Sequence, residues 1–311
     1  MNNETELVAI AGYGSIGRSV ARALRAGIPG LSLAAIATRR PDAVQAAVDA
    51  DGLGAAVVGL DELHLVADLV VECTAGALLP RIARPMLEAG KEIIVLSAGA
   101  LLLNPDLIDT AERHGGRITV PTGALLGLDV VGAAALADRC DITIQSAKPP
   151  QAFAGAPYFD HHDVDLDQIT EPTKLFAGSP LEAAPEFPAN LNVSAALALA
   201  GVGADRTRAE VWADPSLDTN QHVVTIASDA VRVQMKINNI PGDNPKTGRI
   251  TALSVINLLR KRHASLVVGS CPARRCRIST VGLDQADVSL YPARGMWRTP
   301  AAGTGLGGSN Q

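Results

Sequence analysis

Apolar positions in the first third of the chain fall into two alternating kinds of run. "ELVAIAG", "LSLAAIAT", "ADLVVECT", "KEIIVLSAG" and "RITVPTG" are short and continuously apolar, the pattern of strands buried on both faces. Between them lie "SIGRSVARALRAG", closed by Gly27, "PDAVQAAVDAD", with Pro41 at its start, "ALLPRIARPMLEAG" and "NPDLIDTAERHGG", whose spacing predicts helices. Strands alternating with helices imply a parallel sheet covered on both faces, the doubly wound α/β class.

After about residue 122 the period changes. "DITIQSAKPP", "RAEVWADP" and "HVVTIASDAVRVQMKIN" alternate with period two, and the last contains a Ser-Asp turn signal. Consecutive runs of this kind predict an antiparallel sheet with one open face. The Ala-rich "NVSAALALAG" and the longer "NPKTGRITALSVINLLRKRHA" read as helices; the latter has Asn-Pro at its start and a basic cluster at its end, which suits the helix dipole. The organisation is therefore a first domain over 1–122, completed by a helix in 245–268, and a second α+β domain over 123–244. From 269 to 311 no period survives and Gly, Pro, Ser and Arg are frequent, so this stretch reads as a poorly ordered tail.

The run Gly12-Tyr13-Gly14-Ser15-Ile16-Gly17 is G-x-G-x-x-G, placed directly after the first strand and at the opening of the first helix. That context makes it a dinucleotide-binding loop in a Rossmann-type sheet rather than a chance glycine turn. Gly12 serves the tight turn, Gly14 lets the backbone approach a pyrophosphate, and Gly17 permits close helix packing, with the helix N-terminus at Ser15 and Ile16 offering free N–H groups. The second strand ends "IATRRPD", without the acid that binds an NAD ribose. Arg39 and Arg40 stand there instead and fit a 2′-phosphate, so the cofactor reading is NAD and/or NADP.

Composition narrows the remaining classes. With 311 residues the length prior is about two domains. The formal net charge of -5 argues against a nucleic-acid partner. The N-terminus reads against a secretory leader, and the apolar runs are too short to span a bilayer, so a cytoplasmic enzyme of small molecules is the expectation. The four cysteines lack zinc or disulfide spacing. His161-His162 in "FDHHDVDLD" has acids nearby but no complete ligand spacing, and no metal is expected.

"FPANLNVSAALALAG", "VWADPSLDTNQHVV" and "NNIPGDNPKTGRITALSVINLL", with "SAGAL" and "PTGALLGLD", together resemble the L-aspartate dehydrogenase family over about residues 6–268. The resemblance implies NAD(P)-dependent oxidation of L-aspartate to iminoaspartate, which hydrolyses to oxaloacetate and ammonia or feeds NAD biosynthesis. It also implies a catalytic domain with an open mixed sheet, through which homodimers or higher homo-oligomers form. It carries the family's catalytic histidine onto His222 and further cofactor contacts onto Ala124 and Asn190. Cys73 and Thr74, closing "VVECT", are expected to face the cofactor.

A histidine suits the amine-proton step because its ordinary pKa of about 6.5 lies near working pH. The substrate's two carboxylates call for cations. Lys246 and Thr247 at a helix start are the first choice; Lys148 and Lys174 are weaker ones. Two alternatives stay open: another two-domain reductase, such as a homoserine dehydrogenase or a dihydrodipicolinate reductase, or a dinucleotide-binding sensor without turnover. The His-rich, Lys-containing signature typical of the dihydrodipicolinate reductases is not found here.

Overall fold

A computed structural model describes residues 5–188, 191–240, 242 and 248–269. The tail from 270 on, and the expected sites Asn190, Lys246 and Thr247, lie outside the described residues.

Among the described residues eleven strands and eleven α-helices follow in chain order. They begin β1 (Glu6–Ala11), α1 (Ser15–Gly27), β2 (Leu31–Ala37), α2 (Pro41–Ala50), β3 (Ala56–Val58), α3 (Leu63–Val66) and β4 (Leu69–Glu72). Next come α4 (Leu79–Glu88), β5 (Glu92–Val95), α5 (Ala98–Leu103), α6 (Asp106–His114), β6 (Arg117–Thr119) and α7 (Leu128–Ala134). The second half holds β7 (Cys140–Lys148), α8 (Tyr158–His161), β8 (Thr173–Gly178), α9 (Pro180–Glu186), α10 (Leu191–Ala200), β9 (Thr207–Ala213), β10 (Asn220–Ser228), β11 (Arg232–Asn239) and α11 (Arg249–Lys261).

The first sheet has the order β3-β2-β1-β4-β5-β6, every pair parallel. Its strand order reverses between β1 and β4, the point at which doubly wound sheets open a crevice at their C-terminal strand ends. Both faces are buried, which explains the continuous apolar strands: Ala9, Ala11 and Val70 pack under α4 and α6, while Val8, Ile10 and Val71 pack under α1. Helix α11 also covers this second face through Val255 and Leu259, so the chain returns to the first sheet after building the second.

The second sheet has the order β11-β10-β7-β9-β8. It is mixed, because β7 and β9 run parallel while the other neighbours are antiparallel. The period-two reading of a wholly antiparallel sheet is corrected here. Alternation reports one buried face and is blind to strand direction, and the stretch from 149 to 206 crosses over before β9 returns beside β7. Ile142, Ile144, Val224, Ile226 and Ile237 face the helices, against Val131 of α7 and Leu197 of α10. The other face carries Gln145, Arg208, Thr225, Gln234 and Lys236.

Helix α10 has no polar face, and its sequence accounts for that. Ala195 and Ala196 pack against Ala98 of α5, whereas Leu197 enters the core of the second sheet. A helix of small residues fits between two layers, where an amphipathic helix would bury its polar side. Gly99 belongs to the same fit, since a Cβ there would lie 2.9 Å from the Leu191 side chain.

Candidate active site

The glycine loop has the geometry its spacing predicts. Gly12 has φ +97°, and a Cβ on it would come within 2.7 Å of the Cys73 carbonyl oxygen. Gly17 lies under the loop, where a Cβ would strike the Gly12 carbonyl oxygen at 2.1 Å. At Gly14 a Cβ would meet nothing within 4 Å. The first and third glycines are thus demanded by the fold, while the second leaves open space in front of the N-terminus of α1. That is the cradle a pyrophosphate needs, with backbone N–H groups and the helix dipole directed at it. The residues present fit a nicotinamide dinucleotide.

This cradle forms part of the wall of a cavity of about 630 Å³. Gly14, Ser15 and Ile16 line it, as do Cys73 and Thr74 after β4, Ser97 after β5 and Ala124 after β6. The second sheet adds Lys148, Asn220, His222 and Asn239. Gly248 and Thr251 complete the described part of the wall. Arg39 and Arg40 are exposed beyond the end of β2 and are not on this wall. The Arg40 N–H donates to Thr38 Oγ1 at 3.3 Å, which shapes the turn that presents both arginines.

His222 stands on β10 opposite Ser146 of β7 and is only 4% exposed. Period-two alternation places it in the same buried row as Val224 and Ile226, at the end where that row opens into the cavity. Its Nδ1 is 2.9 Å from Ser146 Oγ. Burial, with the positive charge of Lys148 second, pushes its pKa down to about 4. Lys148 continues the row of Ile142, Ile144 and Ser146 along β7, and burial pushes its pKa down to about 8. Lys148, a weaker sequence candidate, is thus in the cavity wall, whereas Lys174 pairs with Glu210 at 3.3 Å and is not among the wall residues.

Glu72 was not singled out from the sequence. Its carboxylate is completely buried at the end of β4 and accepts four hydrogen bonds. Thr74 donates from its N–H at 2.7 Å and its hydroxyl at 2.8 Å. Ser97 donates from its N–H at 3.1 Å and its hydroxyl at 2.7 Å. One buried acid therefore joins the two loops that carry Cys73, Thr74 and Ser97 to the cavity. Enclosure, and secondarily the Glu72 charge, push the Cys73 thiol well above its usual pKa, so Cys73 meets the site as a neutral group. The available signal was an acid within an otherwise apolar parallel strand.

The remaining histidines have other surroundings. His162 stacks on Tyr158 with ring centroids 3.9 Å apart, and its Nδ1 lies 2.9 Å from the Tyr158 carbonyl oxygen. His263 reaches Glu6 at 3.4 Å. Among the described residues no cluster of three or more His, Cys, Asp or Glu is arranged to hold a metal ion, and no helix is long and apolar enough to cross a membrane.

A doubly wound dinucleotide-binding sheet, joined through one cavity to a mixed sheet bearing a buried histidine, defines a nicotinamide-dependent dehydrogenase. Residues 12–121 match the family profile described as homoserine dehydrogenase, NAD binding domain, and residues 129–262 match that of aspartate dehydrogenase, C-terminal. The chain is 49% identical over 263 residues to the L-aspartate dehydrogenase of Bradyrhizobium diazoefficiens, covering 85% of this chain and 94% of that one. It is 48% identical over 272 residues to L-aspartate dehydrogenase 3 of Bordetella bronchiseptica, covering 87% and 100%. The chain belongs to the L-aspartate dehydrogenase family. A crystal structure of aspartate dehydrogenase from Thermotoga maritima shares the fold, with TM-score 0.68 at 23% identity, over 85% of this chain and 99% of that one. The homoserine dehydrogenase match is confined to the dinucleotide-binding part, and the second sheet separates this chain from that alternative.

Proposed function

We propose that the chain oxidises L-aspartate to iminoaspartate with NAD or NADP, in the cavity between the glycine loop and His222. The observation that carries the reading is that this one cavity is lined by the pyrophosphate cradle and by His222 and Lys148. A nicotinamide dinucleotide bound there would supply the two-electron acceptor for the hydride of Cα. The chain's own residues do the rest. Gly14, Ser15 and Ile16 hold the pyrophosphate, while Cys73, Thr74, Ala124 and Asn190 face the cofactor and Arg39 and Arg40 meet its adenosine ribose. Asn220, Asn239 and Thr251 offer hydrogen-bond donors for the substrate carboxylates, and Lys246 and Thr247 are proposed from the sequence for the same task. His222 and Asn239 are buried, and low solvent access strengthens polar contacts made to them. Iminoaspartate released from the site hydrolyses to oxaloacetate and ammonia or supplies NAD biosynthesis.

In this reading residues 1–122, with the helix in 245–268, form the cofactor domain and 123–244 the catalytic one. The enzyme is cytoplasmic and works as a homodimer or higher homo-oligomer through the open face of the second sheet, where Trp212 stands half-buried beside Glu210. Light scattering on the purified protein tests the assembly. The function is tested by a panel of amino acids with NAD and with NADP, following reduced nicotinamide. Activity confined to L-aspartate is expected, and none with aspartate would refute the reading. His222→Ala should then lose turnover while still binding cofactor; a sensor protein would have no turnover to lose.

A further inference from the structure

Ser146 determines what His222 can do. Its hydroxyl is buried, and a buried hydroxyl needs an acceptor for its proton. Among the described residues its partner is Nδ1 of His222, at 2.9 Å. A ring that accepts at Nδ1 carries its own proton, when neutral, on Nε2. Nε2 is not among the buried atoms left without a partner, and the ring lines the cavity, so Nε2 is the nitrogen the cavity sees. In that tautomer His222 presents an N–H to the substrate and has no lone pair there to take a proton. A second proton can enter only at Nδ1, by displacing the Ser146 hydroxyl inside a buried site. The low basicity of the ring, about 4, agrees with this arrangement.

Lys148 lies two residues beyond Ser146 on the same face of β7 and lines the same cavity. The titratable side chains among the described wall residues are Cys73, Lys148 and His222, and none of them is a carboxylate. Around Lys148, β10 contributes His222 and Asn220, and β9 places Ala213 opposite it. Asp214 follows; its N–H donates to the Lys148 carbonyl at 2.8 Å while its carboxylate accepts from Ser216. The turn after β7 adds the Phe153 ring, 6.0 Å from Nζ. Burial of the ammonium brings Lys148 down to about 8.

We propose that Lys148 is the base that takes the proton from the substrate ammonium, and that His222, held by Ser146 with its proton on Nε2, donates a hydrogen bond to the substrate instead of accepting a proton. The proposal rests on the dehydrogenase reading of this cavity. The Nζ lone pair forms the new N–H bond, and the substrate N–H bond breaks with its electron pair left on the amino nitrogen. That pair closes the C=N bond as the hydrogen on Cα leaves with the Cα–H electron pair as hydride, for which the nicotinamide dinucleotide would be the oxidant. The substrate is thereby oxidised by two electrons to the iminium, and Lys148 ends the step as an ammonium.

Two measurements test this. The first is 15N NMR of the full chain labelled in its histidine rings, without substrate, with the His222 signals identified by their loss in His222→Gln. We expect a protonated Nε2 and an unprotonated, hydrogen-bonded Nδ1 that changes in Ser146→Ala. A protonated Nδ1 would overturn the assignment of His222. The second compares Lys148→Arg and Lys148→Ala. As a base is worth roughly 10²–10⁴ in rate, both should lower kcat by at least 100-fold while nicotinamide fluorescence shows cofactor binding within about twofold of wild type. Small primary amines should restore part of the activity of Lys148→Ala, faster with the more basic amine. If Lys148→Arg keeps kcat and the aspartate KM, Lys148 is a carboxylate clamp and the proposal is wrong. A wild type inert to aspartate would instead sink the dehydrogenase reading itself, an outcome distinct from either failure.

Discussion

The carboxylate of Glu72 and the side chain of Ser97, 25 residues apart, meet at 2.7 Å with no exposed surface on the acid. Glu72 ends β4 and Ser97 follows β5, so their bond spans the crevice side of two neighbouring parallel strands. With Thr74 on the other oxygen, this acid holds both loops at the heights from which they reach the cavity. Removing it with Glu72→Ala takes the acceptor from two N–H groups and two hydroxyls, the Ser97 pair buried and the Thr74 pair partly exposed to the cavity. Each unsatisfied buried group costs about 1–3 kcal/mol, although the hydroxyls can turn elsewhere. We expect a loss of about 3 kcal/mol or more in urea unfolding and weaker cofactor binding by fluorescence titration. Glu72→Gln should lie between, because its amide NH₂ must face donors on one side. Unchanged stability in Glu72→Ala would contradict the four-bond description.

The three loop glycines should separate fold from binding. Gly14 has φ −84° and open space where a Cβ would go. Gly14→Ala is therefore expected to leave thermal stability within about 0.5 kcal/mol of wild type, as at ordinary tolerant sites. Its Kd for reduced dinucleotide should nevertheless rise at least tenfold, since the methyl occupies the place of the pyrophosphate. Gly12→Ala and Gly17→Ala meet backbone at 2.7 and 2.1 Å, so each should lose stability whether or not cofactor is present. Full-affinity cofactor binding by Gly14→Ala would remove the pyrophosphate from this loop.

How far these features could be read from the chain depends on how local their causes are. The doubly wound sheet was legible because each strand of β1, β2, β4 and β5 is an apolar run bounded by its own turn signals. The strands β3 and β8 were not anticipated. Ala56–Val58 is three residues at a sheet edge, and Thr173–Gly178 mixes lysine, phenylalanine and glycine with no clean alternation. Helices α5 and α7 were missed because "AGALLL" and "LDVVGAA" are too short to show a helical period. In the site, the glycine loop is a contiguous motif, and the resemblance marked His222. Ser146 and Glu72 have causes that lie elsewhere. Ser146 matters only because β7 and β10 pair in one register, which joins residues 76 positions apart. Lys148 is a weaker candidate by sequence, and the strand face it shares with Ser146 places it in the cavity.

Arg39 and Arg40 stand where an NAD-selective site usually has an acid, exposed after β2 and outside the cavity wall. A guanidinium there gains a charge-paired partner in a 2′-phosphate, which NAD lacks. Arg39→Asp should raise the KM for NADP by tenfold or more and change that for NAD by less than threefold. Initial rates with each cofactor at saturating aspartate decide this, and equal effects on both would remove Arg39 from cofactor selection.

His222 should also leave a mark on acid stability. In the folded protein its ring stays neutral down to about pH 4, held there chiefly by burial. In the unfolded chain it titrates near 6.5. Between those values the unfolded state binds more protons, so stability falls as pH drops through the window and is fully present above 6.5. At about 1.4 kcal/mol per pH unit, acidification from pH 7 to 4.5 should cost roughly 2–3 kcal/mol through this residue alone. The His222→Gln variant has no such proton to take up. Urea unfolding at pH 7 and at pH 4.5 should therefore show wild type losing more stability than the variant by that amount. Equal losses in the two proteins would mean that the ring is protonated in the fold as easily as in the unfolded chain. The buried, neutral imidazole facing the cavity would then have to be given up.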